Sequence, residues 1–264
     1  MGTVLVVDFN NAVHRARSGF TRGENSITYT FFLMFRKMVE TFSPDSIYIV
    51  KEGRPQARHD LLDTYKANRG SAGGDFWRQH GNILKILSMM PVNIVRHPLR
   101  ECDDTIAHIV RKLRIHDECV IVSTDTDFIQ LLSGDPRIRL WNPVKDAWID
   151  PHPVDYVMWK SLTGDGTDNV SGFQGVGSKT ATKLVSDPAK LKEFLSVEGR
   201  QALFDRNMQL IAFQEINDAL EVTDSFTDWP GVYNEFTRLD FQSLIKEKTW
   251  KKYVDTFDCV EYSK

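Results

Sequence analysis

The sequence predicts an α/β fold, a doubly wound and mostly parallel sheet over residues 1–150, followed by a helical subdomain over 151–264. Three observations carry that prediction. Short apolar runs, Thr3-Val4-Leu5-Val6-Val7, Ser46-Ile47-Tyr48-Ile49-Val50, Val92-Asn93-Ile94-Val95 and Cys119-Val120-Ile121-Val122, read as buried strands. Helical periodicity alternates with them as far as Leu132, and strands that alternate with helices build parallel sheets. Pro151 and Pro153 then punctuate the chain, and what lies beyond Lys183 is helical and amphipathic.

Taken in order, the first strand delivers Asp8 at its carboxyl end, with Asn10 and Asn11 just beyond. Position 10 is Asn, so the paired aspartates of a haloacid-dehalogenase phosphatase are missing. Thr28 to Phe42 reads as a helix with Phe31, Phe32, Phe35, Met38 and Val39 on its inner face. The second strand places Glu52 near its end. From Gly53 to Gly81 the composition turns basic and polar, with Arg54, Arg58, Lys66, Arg69 and Arg78, while Gly70, Gly73 and Gly74 loosen the chain. A helix over Asp60 to Asn68 would set Lys66 and Arg69 on one face at i, i+3. Ile83 to Met90 is again helical. Glu101-Cys102-Asp103-Asp104 forms the first turn of a helix carried by Ile106, Ala107, Ile109, Val110 and Leu113. The fourth strand runs into Asp125-Thr126-Asp127, whose acids would point the same way by the period of two in extended chain. Ile138 to Trp141 and Ala147 to Ile149, with Pro143 between them, read as an edge hairpin.

Val154 to Leu162 is expected as a helix, followed by Gly164-Asp165-Gly166-Thr167-Asp168-Asn169 and the glycine-rich Gly172 to Thr180. The latter nearly spells a Walker A loop, but Ser178 separates the last Gly from Lys179 and no strand precedes it, which excludes an NTPase. What remains is a turn between two helices whose amides can hold a phosphodiester without reading bases.

The acids set the chemistry. Ligands of open parallel sheets collect beyond the carboxyl ends of the strands, which is where these carboxylates fall. Two bare carboxylates about 5 Å apart repel by roughly 3 kcal/mol at an effective dielectric near 20, so a chain that gathers several must neutralise them. Oxygen ligands without a Cys and His cluster point to Mg²⁺ or Mn²⁺ and away from zinc. The net charge of −3 looks unsuited to a nucleic-acid binder, but setting aside nine site carboxylates leaves 27 acidic against 33 basic side chains, a balance of +6. No apolar run approaches a membrane span and no signal segment is visible. Cys102, Cys119 and Cys259 are odd in number and widely spaced, which points to a reducing cytoplasm.

With these stretches in hand the chain resembles the 5′-nuclease superfamily of flap endonucleases and 5′-to-3′ exonucleases, nearest to its T-even phage RNase H type, which lacks the ordinary RNase H fold. The strand ending in Asp8, Tyr65-Lys66-Ala67-Asn68-Arg69-Gly70, Glu101 to Asp104, Ser123 to Phe128 and Gly164 to Asn169 occur in the family's order. Glu52 stands where the family usually has Asp, with the same charge on an arm one methylene longer. The resemblance implies a PIN-like sheet, a helical arch over about residues 54–90 and a helix-three-turn-helix over about 154–186. It implies a first metal site of Asp8, Glu52, Glu101, Asp103 and Asp104 and a second of Asp125, Asp127, Asp165 and Asp168. Asp8, Asp125, Lys66 and Arg69 would carry catalysis. Nucleic acid would be met by Arg54, Arg58, Tyr65, Lys66, Arg69, Gly172, Gly175, Gly177, Ser178, Lys179 and Thr180, with K⁺ at the glycine-rich turn. The implied activity is hydrolysis near 5′ ends of DNA and RNA–DNA duplexes with two Mg²⁺ ions, in primer removal by a monomer in the host cytoplasm, beside a single-stranded DNA-binding protein and a sliding clamp. A toxin-type single-strand endoribonuclease would lack the glycine-rich grip, and a non-catalytic structure-binding protein would have lost acids that are all present here.

Overall fold

The computed structural model describes residues 2–19, 23–68, 70 and 72–260. Strand β1 (Thr3–Asp8) leads into helices α1 (Phe9–Arg17) and α2 (Ser26–Phe42), then β2 (Ser46–Val50). Helix α2 stops at Ser43, which takes a left-handed φ of 43° ahead of Pro44. Helices α3 (Gln56–Leu61) and α4 (Gly74–Leu87), strand β3 (Asn93–Arg96), helix α5 (Cys102–His108) and β4 (Glu118–Val122) follow. The hairpin β5 (Ile138–Asn142) and β6 (Ala147–Ile149) comes next.

The sheet has the order β6-β5-β4-β1-β2-β3, extended at its far edge by β9 (Glu221–Thr223). Its central pairs, β1 with β2 and β4, β2 with β3, and β4 with β5, are parallel, and the outer β6 and β9 pair antiparallel. The chain winds outward from β1 to β3 and returns on the other side at β4, so the switch lies between β1 and β4, where Asp8 and the Ser123–Asp127 segment emerge.

Alternation along β1 divides the core. Leu5 and Val7 face α1, α2 and α4 with Phe31, Phe32, Phe35 and Ile83. Val4 and Val6 face Ile106, Ile109, Val110 and Phe128. Each fully buried Phe or Ile contributes about 1.5–3 kcal/mol.

Beyond the hairpin, α6 (Tyr156–Thr163), the small ribbon β7 (Gly164–Asp165) and β8 (Val170–Ser171), α7 (Ser178–Val185), α8 (Pro188–Leu195) and α9 (Arg200–Ile211) close over Leu162, Phe173, Val176, Leu191 and Phe204 as a separate helical lobe. The expected helical subdomain of 151–264 therefore ends early. After α9 the chain returns: β9 pairs with β3, and α10 (Trp229–Arg238), α11 (Gln242–Ile245) and α12 (Glu247–Asp255) bury Val232, Phe236, Leu244 and Tyr253 in the first core of the α/β domain. The apolar face of a helix does not say which of two cores it joins.

The expected arch is corrected as well. Helix α4 belongs to the core through Phe76, Ile83, Ile86 and Leu87. Helix α3 ends at Leu61 and Lys66 lies in a turn with a left-handed φ of 56°, so the expected helix over Asp60 to Asn68 is not formed; Arg69 lies outside the described residues.

Candidate active site and metal centre

Asp8 caps α1, its Oδ1 accepting from the Asn11 N–H at 3.1 Å, and its Oδ2 accepts from the Ser123 hydroxyl at 3.1 Å. Ligand atoms of Asp8, Cys102 and Asp103 lie within 4.8 Å of one another. Burial pushes the Asp8 carboxyl up to about 6, and the nearby Asp125 adds to it. Asp103 is driven well above the carboxylate range by burial and then by Asp125, Asp8 and Glu101. The Cys102 thiol, raised well above its usual range by burial and these acids, stays neutral and leaves the donors to oxygen. Glu52 keeps exposed surface yet is crowded by its neighbours, and desolvation followed by Glu101 pushes it up to about 7. Its position is set by Gly53, where a Cβ would meet the His97 carbonyl oxygen at 2.0 Å, and its Oε1 accepts from the Cys102 N–H at 3.2 Å.

A second group joins Asp127, Asp165 and Asp168, again with ligand atoms within 4.8 Å. Asp165 accepts from the backbone N–H of Thr167 at 2.8 Å and of Asp168 at 3.3 Å. Lys160 of α6, almost fully buried, pairs with Asp127 and, at 2.6 Å, with Asp165. Burial alone would raise Asp165, but Lys160 and the two N–H groups outweigh it and hold that carboxyl low, while burial pushes Asp127 up to about 6 against the same lysine. Lys66 pairs with Glu101 and lies 3.6 Å from Asp168.

Asp125 lies between the groups and raises Asp8, Asp103 and Asp127 alike. Asp125 and Asp127 both line the cleft, but not through the period of two of an extended strand: β4 ends at Val122 and Asp127 opens a 3₁₀ turn whose N–H bonds the Asp125 Oδ1 at 2.9 Å.

Three further expectations change. Asp104 is fully buried and turned from the cleft: its carboxylate takes Arg58 Nη1 at 2.7 Å and Nη2 at 2.8 Å, the Gln214 N–H at 2.8 Å and, as a capping box, the Glu101 N–H at 3.2 Å. Arg58, 2% exposed, also binds Glu101 at 2.8 Å and the carbonyls of Leu210 and Ala212. It ties α3 to α9 and has no face for a nucleic acid. Tyr65 is likewise buried, its hydroxyl bridging Glu101 at 3.0 Å and Asp168 at 3.1 Å. Glu101, held by Arg58, Tyr65 and Lys66, links the two groups.

Of the other expected contacts, Arg54, Gly175, Gly177, Ser178, Lys179 and Thr180 are exposed. Phe173 and Val176 anchor the turn, Gly177 leads into α7 without a side-chain cap, and Gly175 needs its φ of 78°. Gly172 is a packing residue, since a Cβ there would fall 2.3 Å from the Thr163 carbonyl.

Asp125, Asp127, Asp165, Asp168 and Lys160 line a cleft of about 630 Å³ between sheet and lobe. Sequence reasoning missed Lys160, Ser123 and Tyr156. The signal for Lys160 was a lone lysine within an otherwise apolar helix five residues before Asp165, since a buried lysine requires an acid partner.

The residues fit divalent cations. Hard oxygen donors cluster twice, and several are pushed upward by burial and by one another's charge. The sign for stability follows. Asp8, Glu52 and Asp127 have folded-state pKa values above their ordinary ones, so the folded state binds more protons, and stability present below about pH 4 is lost as pH rises through 6 to 7. In EDTA the melting temperature is expected to fall over this window, and Mg²⁺ at pH 7.5 to restore it; a flat profile would show that these acids carry no unmet charge.

With this geometry in hand, the comparisons identify the class. Residues 3–157 match the family described as "5'-3' exonuclease, N-terminal resolvase-like domain", and the chain belongs to that nuclease family. A 5'-3' exonuclease of Mycoplasmopsis pulmonis is 29% identical over 221 residues, covering 78% of this chain and 74% of that protein. The thermostable DNA polymerase I of Thermus thermophilus is 27% identical over 93% of this chain, which spans only 33% of that polymerase. The bacteriophage T5 D15 flap endonuclease, solved as a pseudo-enzyme-product complex with DNA and metal ions, shares the fold with a TM-score of 0.67 at 16% identity, over 97% of this chain and 99% of that one. No helix among the described residues is long and apolar enough to cross a membrane.

Proposed function

We propose that this chain is a Mg²⁺-dependent 5′ nuclease that hydrolyses phosphodiesters near the 5′ ends of DNA and RNA–DNA duplexes, by exonuclease and flap cleavage, and that it removes lagging-strand RNA primers in phage replication. The observation that carries the reading is the pair of carboxylate groups joined through Asp125 and through the Glu101–Tyr65–Asp168 bridge, the second of them lining the cleft between sheet and helical lobe. Asp8 and Asp103, with Glu52 and Asp125 beside them, would hold one cation, and Asp127, Asp165 and Asp168 the other. Bound there, Mg²⁺ or Mn²⁺ supplies Lewis acidity toward the phosphodiester and lowers the pKa of the attacking water.

The chain's own groups do the rest. Glu101 positions Lys66 and Tyr65 at the junction of the two groups. Lys66 adds positive charge to the non-bridging oxygens, where negative charge grows in the transition state, and Arg69 follows it in sequence. The exposed Gly175, Gly177, Ser178, Lys179 and Thr180, with the uncapped start of α7, hold a downstream phosphate, with K⁺ as a ligand of the same turn. Arg54 adds charge on the approach. The protein acts as a monomer in the host cytoplasm, beside a single-stranded DNA-binding protein and a sliding clamp.

The test is incubation of a 5′-labelled flap duplex and a 5′-RNA primer duplex with Mg²⁺ or with EDTA. Short 5′ products present only with Mg²⁺ support the reading, and tight binding without cleavage of either defeats it. Lys66→Ala is expected to lower kcat more than affinity; an unchanged single-turnover rate would remove Lys66 from the chemistry.

A further inference from the structure

On the face of the sheet that carries α1 and α2, a pocket of about 160 Å³ opens against the β5–β6 hairpin, away from the carboxylates. It is lined by Arg15, Lys37, Phe42, Trp141 and Asp146, among others. Lys37 is exposed and Arg15 half-buried. The Arg15 Nη1 is buried and has no hydrogen-bond partner among the described residues. Burial lowers this guanidinium to about 10, and no acid counters the effect, Asp146 included. A cation placed in this way lacks its anion.

The location relates the pocket to the catalytic edge. The Ser123 N–H bonds the Trp141 carbonyl at 3.3 Å, so the end of β5 lies beside the segment that carries Asp125. Arg15 lies on α1, the helix that Asp8 caps, about 10 Å along its axis at about 1.5 Å per residue. Phe42, Trp141 and Trp148 form an aromatic wall, with Trp141 and Trp148 rings 5.0 Å apart. Arg139 stacks 3.6 Å above the part-exposed Trp148 and extends the basic surface. Aromatic faces interleaved with cations suit a nucleic-acid strand, whose bases stack while its phosphates pair.

We propose that this pocket is a phosphate subsite for the substrate, in which Arg15 and Lys37 grip a backbone phosphate outside the carboxylate centre and the wall of Phe42 and Trp141 takes the adjoining sugar or base. The inference rests on the nuclease reading. The phosphate belongs either to a strand upstream of the cut or to the cleaved duplex itself.

The test measures binding by fluorescence anisotropy between about 50 and 200 mM KCl, for wild type, Arg15→Gln and Lys37→Ala, on a nicked duplex and on the same duplex without its upstream strand. Arg15→Gln is expected to weaken binding about tenfold, as for one charge-assisted contact, and to lower the log–log salt slope by about 0.9. Lys37→Ala, at an exposed position, is expected to give a smaller loss of the same sign. A loss confined to the nicked duplex assigns the phosphate to the upstream strand, and an equal loss on both assigns it to the cleaved duplex. Because Arg15 has no hydrogen-bond or ion-pair partner among the described residues, its variant should melt at or above the wild-type temperature. A lower melting temperature with an unchanged slope, or unchanged binding by both variants, overturns the proposal. If wild type binds neither duplex, the nuclease reading itself fails.

Discussion

Asp125→Asn is expected to lower turnover more than about a thousandfold, equivalent to about 4 kcal/mol of transition-state stabilisation, while duplex binding survives. Asp125 is the acid that both groups share, since it raises Asp8 and Asp103 on one side and Asp127 on the other. Replacing it removes a donor from the cation site and one negative charge from a crowded cluster. These two consequences have opposite signs and separate cleanly: without divalent cations the variant should melt above wild type, because repulsion is relieved, yet cut far more slowly with Mg²⁺ present. Cleavage near the wild-type rate would end the assignment of Asp125. A lower melting temperature in EDTA would contradict the repulsion inferred here.

Arg58→Met should be the most damaging substitution for folding. It strands the buried carboxylates of Asp104 and Glu101 and frees the carbonyls of Leu210 and Ala212. Removing one member of such a network costs about 3–5 kcal/mol, which for a chain of this size lowers the melting temperature on the order of 10 °C. Urea unfolding measures it directly. A loss below about 1 kcal/mol would return Arg58 to the substrate-facing role that its sequence context suggests. The same network predicts a contrast within one helix turn: Asp103→Asn should weaken divalent-cation binding strongly and Asp104→Asn only weakly, since Asp104 is already filled by Arg58 and Gln214.

The parallel sheet was legible in the sequence because strands buried on both faces are mostly apolar, as β1, β2 and β4 are in their centres, with β3 carrying only Ile94 and Val95. The acids were legible because they follow those strands, or open the helix after one, and a parallel sheet brings such ends to a common edge. The helix over 60–68 was misread because Lys66 and Arg69 fit helical spacing, while the turn around Tyr65 is held by distant acids, Glu101 and Asp168, which local propensity does not contain.

The sequence by itself therefore determined the α/β class, the edge at which chemistry collects and the acids that gather there, because these follow from local periodicity and strand polarity. Only the tertiary structure decided which acids face the cleft, that Arg58 and Tyr65 point inward, that Lys160 enters the second group, and that β9 and the last three helices rejoin the first core. The physical reason is that the partner of a buried charge, and the core an amphipathic helix joins, are set by contacts between residues far apart in the chain, as between Phe35 and Phe257.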